Sequence, residues 1–161
     1  MSMIIDGTNG LTFNNATTQA SGGKVIQVVS ATYSTQASVT NGTFADTGLT
    51  ASITPLFSTS KILVLLNQNG LAKANDNTAN DLTIRLYRGA TLIATPAVYS
   101  MYTNSAFTWY GNCATLSLLD SPATTSSTTY KTQFNNSDGG GLVYVQSSGA
   151  TSTLTLLEIS A

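Results

Sequence analysis

Apolar and polar residues alternate with a two-residue period in short runs along most of the chain. No stretch sustains a 3.6-residue period, and Ala, Leu, Glu and Lys never combine into a helix-forming segment. The runs are rich in Val, Ile, Thr, Tyr and Leu and are separated by Gly, Asn, Asp and Ser, the punctuation of strands and turns. Strands are predicted near 24–33, 48–54, 61–68, 81–87, 91–95, 97–102, 107–118, 129–135, 141–147 and 152–159. Leu49, Ala51 and Ile53 share one face of the second run. Leu82, Ile84 and Leu86 share one face of the fourth, with Thr83, Arg85 and Tyr87 opposite, as in a half-buried antiparallel strand. Arg88-Gly89-Ala90 then supplies a short hairpin turn, with Gly free to take a positive φ.

That many strands in about 140 residues is too many for one flat sheet. The economical fold class is all-β: an antiparallel two-sheet sandwich, a jelly roll by preference, which buries one face of every strand. Two runs, 62–66 and 154–157, are apolar on both faces. Such runs either lie centrally or are covered by another subunit. Leu154, Leu156, Leu157 and Ile159 in the last strand are therefore candidates for a subunit seam, with a plain core strand as the equal alternative.

Residues 1–22 differ from the rest. Asp6-Gly7 and Asn9-Gly10 are turn pairs set between Ile4-Ile5 and Leu11-Thr12-Phe13, and a small, polar, Gly-ended linker follows. The expected organisation is an N-terminal arm and linker over 1–22 and a β-sandwich over 23–161. An arm this short cannot fold alone, so it must pack on its own domain or on a partner.

Composition narrows the chemistry. The chain has 161 residues, 42% hydrophobic and only 8% charged, about a third of the usual charged share. Thr (27) and Ser (19) together supply 46 small hydroxyls. With no His there is no Ser-His-Asp or Cys-His nucleophile and no imidazole metal site. One Cys, Cys113, makes no internal disulfide or thiolate cluster, and its setting among strand residues predicts a small buried hydrophobe. Six scattered Lys and Arg cannot neutralise a run of phosphates, so nucleic acid is not an expected partner. The longest clearly apolar run, Ile62 to Leu66, is far short of the ~20 residues of a spanning helix, and the start carries no signal-peptide pattern. Synthesis in a cytoplasm, no membrane insertion, no cofactor and no enzyme activity are the expectations.

Few candidate sites survive. Five of the six Asp neighbour Gly, Asn or Ser, where turn contacts to backbone amides outweigh a two-carboxylate glycosidase. The oxygen-rich stretch 75–81 lacks the Gly and Glu of an EF-hand loop and reads as a solvated connection. Tyr99, Tyr102, Phe107, Trp109 and Tyr110, gathered around Asn104, are equipped to hold a sugar ring. Core or subunit contact is the preferred reading of the same aromatics.

The arm Ile5-Asp6-Gly7-Thr8-Asn9-Gly10-Leu11-Thr12-Phe13 with Thr18-Gln19-Ala20 resembles the opening of many tailed-bacteriophage surface proteins. The blocks Gly23–Val29, Ser60–Val64, Leu119–Thr125, Thr129–Lys131 and Leu154–Ile159 resemble, in that order, the rest of one such domain, common in phages of cyanobacteria and marine bacteria. The resemblance implies a trimeric jelly roll or similar sandwich on the virion surface. It serves there as a capsid decoration (cement) protein or as the distal domain of a tail fibre. With a short arm and no long shaft before the domain, the expectation leans to a homotrimeric decoration protein or small head fibre. Ile4, Ile5, Leu11 and Phe13 would anchor its arm to the major capsid protein or another virion protein. The alternative is a tail-fibre or receptor-binding domain that contacts a host-surface glycan.

Overall fold

The computed structural model describes residues 4–6, 10–12, 18–19, 25–74, 80–103, 108–138 and 140–160. Three short strands near the N-terminus, β1 (Ile4–Asp6), β2 (Gly10–Thr12) and β3 (Thr18–Gln19), pair with one another, and among the described residues with no other strand, as a small antiparallel sheet. Ile5 stands opposite Leu11, and Leu11 opposite Gln19, so the arm is a sheet of its own rather than an extra strand of the domain.

The domain is built from β4 (Val25–Tyr33), β5 (Ala37–Val39), β6 (Ala45–Ile53), β7 (Lys61–Lys73), β8 (Asn80–Arg88), β9 (Thr91–Thr103), β10 (Trp109–Asp120), β11 (Thr128–Asn135), β12 (Val143–Val145) and β13 (Ser152–Ile159). β12 and β13 lie end to end along the same side of β7, and β4 and β5 lie end to end beside them. Each pair is one interrupted strand. The first sheet is therefore β4/β5, β13/β12, β7, β10, and the second is β6, β11, β8, β9. With the interrupted pairs merged, the chain order across the sheets reads 1-8-3-6 and 2-7-4-5, the strand order of a jelly roll. Every pairing among the described strands is antiparallel.

Alternation along the strands sets the core. In β6 every second residue from Thr47 to Ile53 is buried, and in β13 Ser152, Leu154, Leu156 and Glu158 point inward. Leu82, Ile84 and Leu86 are fully buried, as their spacing requires. One apolar cluster gathers Leu49, Ile53, Ile62, Val64, Leu86, Tyr130, Leu154 and Leu156; a second gathers Leu71, Leu82, Ile84, Phe134, Val143 and Val145.

The interruption between β12 and β13 has a local cause. Gln146 and Ser148 take left-handed φ of 51° and 57° around the 3-10 turn Ser147–Gly149. That turn closes on Gly70, whose own φ is +66° and where a Cβ would lie 2.5 Å from the Ser147 nitrogen. Only glycine fits there.

Three expectations about elements change. The runs at 91–95 and 97–102 are one strand, β9, that passes through Pro96. It can do so because β9 is a sheet edge, where a missing N–H costs no ladder bond. The short β5 carries too few residues to show a period and was not expected. Ordered pairing in β12 is limited to Val143–Val145 instead of the longer run at 141–147.

Candidate functional site

Between the two apolar clusters a chain of buried polar side chains crosses the sandwich. The Thr47 and Thr132 hydroxyls lie 2.6 Å apart, and Thr132 Oγ1 donates to Gln68 Oε1 at 2.9 Å. Gln68 Nε2 donates to Ser152 Oγ at 3.0 Å, and Gln146 Nε2 reaches the same oxygen at 3.2 Å. Part of the hydroxyl content thus serves the interior, where each group needs a partner.

A second polar group ties the sheets at one end. Arg88 Nη1 sits 2.7 and 2.8 Å from the two oxygens of Asp120, and the Tyr130 hydroxyl donates to Asp120 Oδ2 at 2.7 Å. Asp120 belongs to β10 of the first sheet, Arg88 and Tyr130 to the second. Burial, then the Asp120 hydrogen bond and charge, push the Tyr130 phenol above its usual range. Nearby, the fully buried Glu158 accepts the Leu56 amide at 2.8 Å and pins the loop between β6 and β7. At the opposite end Asp81 accepts the Ser137 amide at 2.6 Å. Burial raises its pKa against the lowering effect of that bond. Asp81 and Asp120, expected to close local turns, therefore stand in strands and hold distant groups.

The outer faces of the two sheets are unlike. On the second sheet Asp46 takes Lys131 at 2.9 Å and Gln133 Nε2 at 2.7 Å, and the Ser52 and Thr129 hydroxyls lie 2.7 Å apart. Arg85 lies 3.7 Å over the Phe44 ring. Partial burial alone would raise the Asp46 pKa, but the Gln133 and Lys131 hydrogen bonds and the Lys131 charge bring it below its usual value. Over β6 and β11 this sheet is polar and paired within itself, while its edge strand β9 exposes Leu92, Val98, Tyr99 and Tyr102.

On the first sheet the strand registers align Leu119 with Leu63, Leu63 with Leu157, and Leu157 with Val28. One apolar row therefore crosses all four strands on the outside. Val28 and Leu119 at its ends are 58% and 57% exposed, while Leu63 and Leu157 are half-buried between them. Leu65, Ile159 and Val25 extend the patch. Beyond it the rows turn to hydroxyls: Ser117, Thr155 and Ser30 flank Leu65, with Ser30 and Thr155 bonded at 3.0 Å. The charge on this outer face, among the described residues, is Lys61 at the rim, whose Nζ donates to Ser121 Oγ at 2.7 Å.

The seam candidates divide on this geometry. Leu157 and Ile159 face outward, whereas Leu154 and Leu156 are fully buried in the sandwich core and present nothing to a neighbour. β13 is also not a sheet edge, since β4 and β7 flank it. Of the aromatic group, Tyr99 and Tyr102 are exposed on the edge strand β9, and Tyr99 has a φ of 50°. Trp109 and Tyr110 begin β10 opposite Lys73 and Ala72, while Asn104 and Phe107 lie outside the described residues. Ile4, Ile5 and Leu11 lie in the arm sheet; Phe13 falls outside the described residues.

Cys113 is exposed, contrary to the expectation of a buried hydrophobe. It keeps the outward parity of the exposed Thr115, Ser117 and Leu119, so its place in the alternation of β10, and not its residue type, sets its direction. It lines a groove of about 470 Å³ with Asn69, Gly70, Leu71, Ser147 and Ala150. Among the described residues no three His, Cys, Asp or Glu side chains are placed to share a metal ion, and no helix is long and apolar enough to cross a membrane.

No protein-family model matches the sequence, and neither does any curated protein. Among solved structures the chain is similar to the VP2 subviral particle of infectious bursal disease virus, with 15% identity over 83% of this chain and a TM-score of 0.47. The same virus's Gx strain matches at 15% identity over 99% of this chain and 43% of that one, with a TM-score of 0.43. The chain spans 33% of the first of these proteins. The strand pairings themselves establish the jelly roll.

Proposed function

We propose that this chain is a non-enzymatic structural protein of a tailed-phage virion. In this reading it is a homotrimeric capsid decoration (cement) protein, or a small head fibre, bound to the particle through its N-terminal arm. The observation that carries the reading is the separate arm sheet of β1, β2 and β3 ahead of a closed jelly roll. Its strands have three, three and two residues, too few to bury a core of their own. Ile4, Ile5, Leu11 and Phe13 therefore need a surface, and the particle supplies one. The sequence resemblance to phage surface proteins supports the virion as that surface. Partners are then other copies of this chain and the major capsid protein or another virion protein.

Removing residues 1–22 is expected to leave a folded, assembled sandwich that no longer binds virions. Undiminished binding by the truncated protein would sink the reading. Labelled protein on intact particles should decorate the head in many copies; a few copies at the tail would favour a fibre.

One observation favours the glycan alternative. Tyr99 and Tyr102 stand exposed on β9 with a left-handed Tyr99 backbone, an arrangement that offers aromatic faces to a sugar. If that reading holds, purified protein competes with virions for adsorption and Tyr99→Ala with Tyr102→Ala abolishes the competition.

A further inference from the structure

We infer that copies of this chain meet through the outer face of the first sheet, with Val28, Leu157, Leu63 and Leu119 at the centre of the contact. The inference rests on the homotrimer reading for the existence of an assembly, and it assigns the surface that reading leaves open. A contiguous apolar row across four strands is the type of patch that soluble chains cover.

The surrounding chemistry selects the occupant. The apolar row grades into hydroxyl rows at Ser117, Thr155, Ser30 and, one step on, Thr115, Thr153 and Thr32. An apolar centre with an uncharged polar rim is the anatomy of a protein contact. A lipid surface is disfavoured, because membrane-binding faces set several cations beside their apolar residues, and among the described residues this face has the one Lys61 at its rim. The partner surface must likewise be nearly without charge, and a chain with 8% charged residues supplies that to itself.

Size agrees. Four strands about 4.8 Å apart and about eight residues long present roughly 500 Å² in projection. Side-chain relief brings that toward the about 800 Å² per partner of a standard interface. Since β4 and β7 flank β13, the contact is made by side chains of the face and not by added strand pairing. The sequence pointed to the last strand as a seam. The structure moves the contact to a row shared by four strands, of which that strand contributes Leu157.

The test uses the full chain with Val28→Lys, Leu119→Lys and the pair together. Thr50→Lys on the opposite outer face serves as control. Mass is read by light scattering over a wide concentration range, with folding checked by thermal melting and circular dichroism. The expected result is an assembled wild type and control, at least tenfold weaker association for each single variant, and a folded monomer for the double variant. Because these side chains are on the outside, the variants are expected to melt at or above the monomer's temperature.

Wild-type assembly by the folded double variant would overturn the inference and leave the trimer reading standing. A wild type that stays monomeric at every concentration would overturn both the inference and the trimer. A row shielded only on the particle would overturn the inference by making the capsid the occupant. Virion binding by the same proteins, measured separately, decides the decoration reading whatever the state of assembly.

Discussion

The two outer faces of the sandwich are made by the same alternation and come out differently. On β6 and β11 the outward positions hold Asp46, Thr50, Ser52, Thr129, Lys131 and Gln133, which bond one another or, for Thr50, the Tyr130 carbonyl at 3.1 Å. On β4, β13, β7 and β10 the outward positions near one end are Val28, Leu157, Leu63 and Leu119, which gain nothing from one another's polarity and lose free energy in water. A polar face can be complete in the single chain. An exposed apolar face is complete only when something covers it.

The comparison supposes that both faces stand on one shared core, and the largest effect tests that. The Arg88–Asp120–Tyr130 group joins the sheets, with the ion-paired side chains 26% and 12% exposed. Asp120→Ala leaves a mostly buried guanidinium and a phenol without their acceptor. It should cost about 2–3 kcal/mol of unfolding free energy, read from the denaturant midpoint, with both sheets lost in one transition. A cost under about 0.5 kcal/mol, or two separate transitions, would break the picture.

The buried hydroxyl chain comes next. Thr132→Val removes the donor to Gln68 Oε1 and the neighbour of Thr47, and should cost about 1–2 kcal/mol. A neutral result would mean that the core polar groups find other partners.

The faces themselves should then separate stability from association. Leu65→Ser on the apolar face and Thr50→Ser on the polar face should each shift monomer stability by about 0.5 kcal/mol or less. Association should weaken for Leu65→Ser alone, by light scattering. Equal association in both would erase the distinction between the faces.

The smallest effect is in acid. Asp46, with a folded pKa below its ordinary 3.8, contributes stability that is present above that value and lost as pH falls through the lower folded one. Asp81 has the opposite sign. Its raised folded pKa penalises the fold above that pKa, and the penalty lifts as pH falls toward 3.8. Stability against pH below about pH 5 should therefore be less steep in Asp46→Asn and steeper in Asp81→Asn.

Much of the local structure is legible in the residues. The alternation of Leu49, Ala51 and Ile53, of Leu82, Ile84 and Leu86, and the Gly89 turn with φ +56° are all readable, because period and turn chemistry act between near neighbours. Legibility stops where alternation is broken. The β9 backbone reverses to φ 50° and 65° at Tyr99 and Met101, so parity counting misdirects the side chains there, whereas Cys113 keeps the outward parity of Thr115, Ser117 and Leu119 and was misjudged on residue type. Asp81 and Asp120 were misread for a related reason. Asp120 sits beside Ser121 and Pro122 in sequence, but its partners Arg88 and Tyr130 come from the other sheet.

The sequence by itself determined an all-β chain of low charge, without the imidazoles or thiol pairs of common catalytic and metal sites, and with an apolar excess in its last strand. Tertiary structure alone decided which apolar residues form the core and which form a surface. Leu154 and Leu156 went inside and Leu157 outside, as a single residue of parity dictates once register is fixed. Val28, Leu63, Leu119 and Leu157 belong to four distant segments, and they form a row only because long-range strand pairing sets them side by side. No local pattern carries that information, because register between distant strands is fixed by the burial of all the inner faces at once.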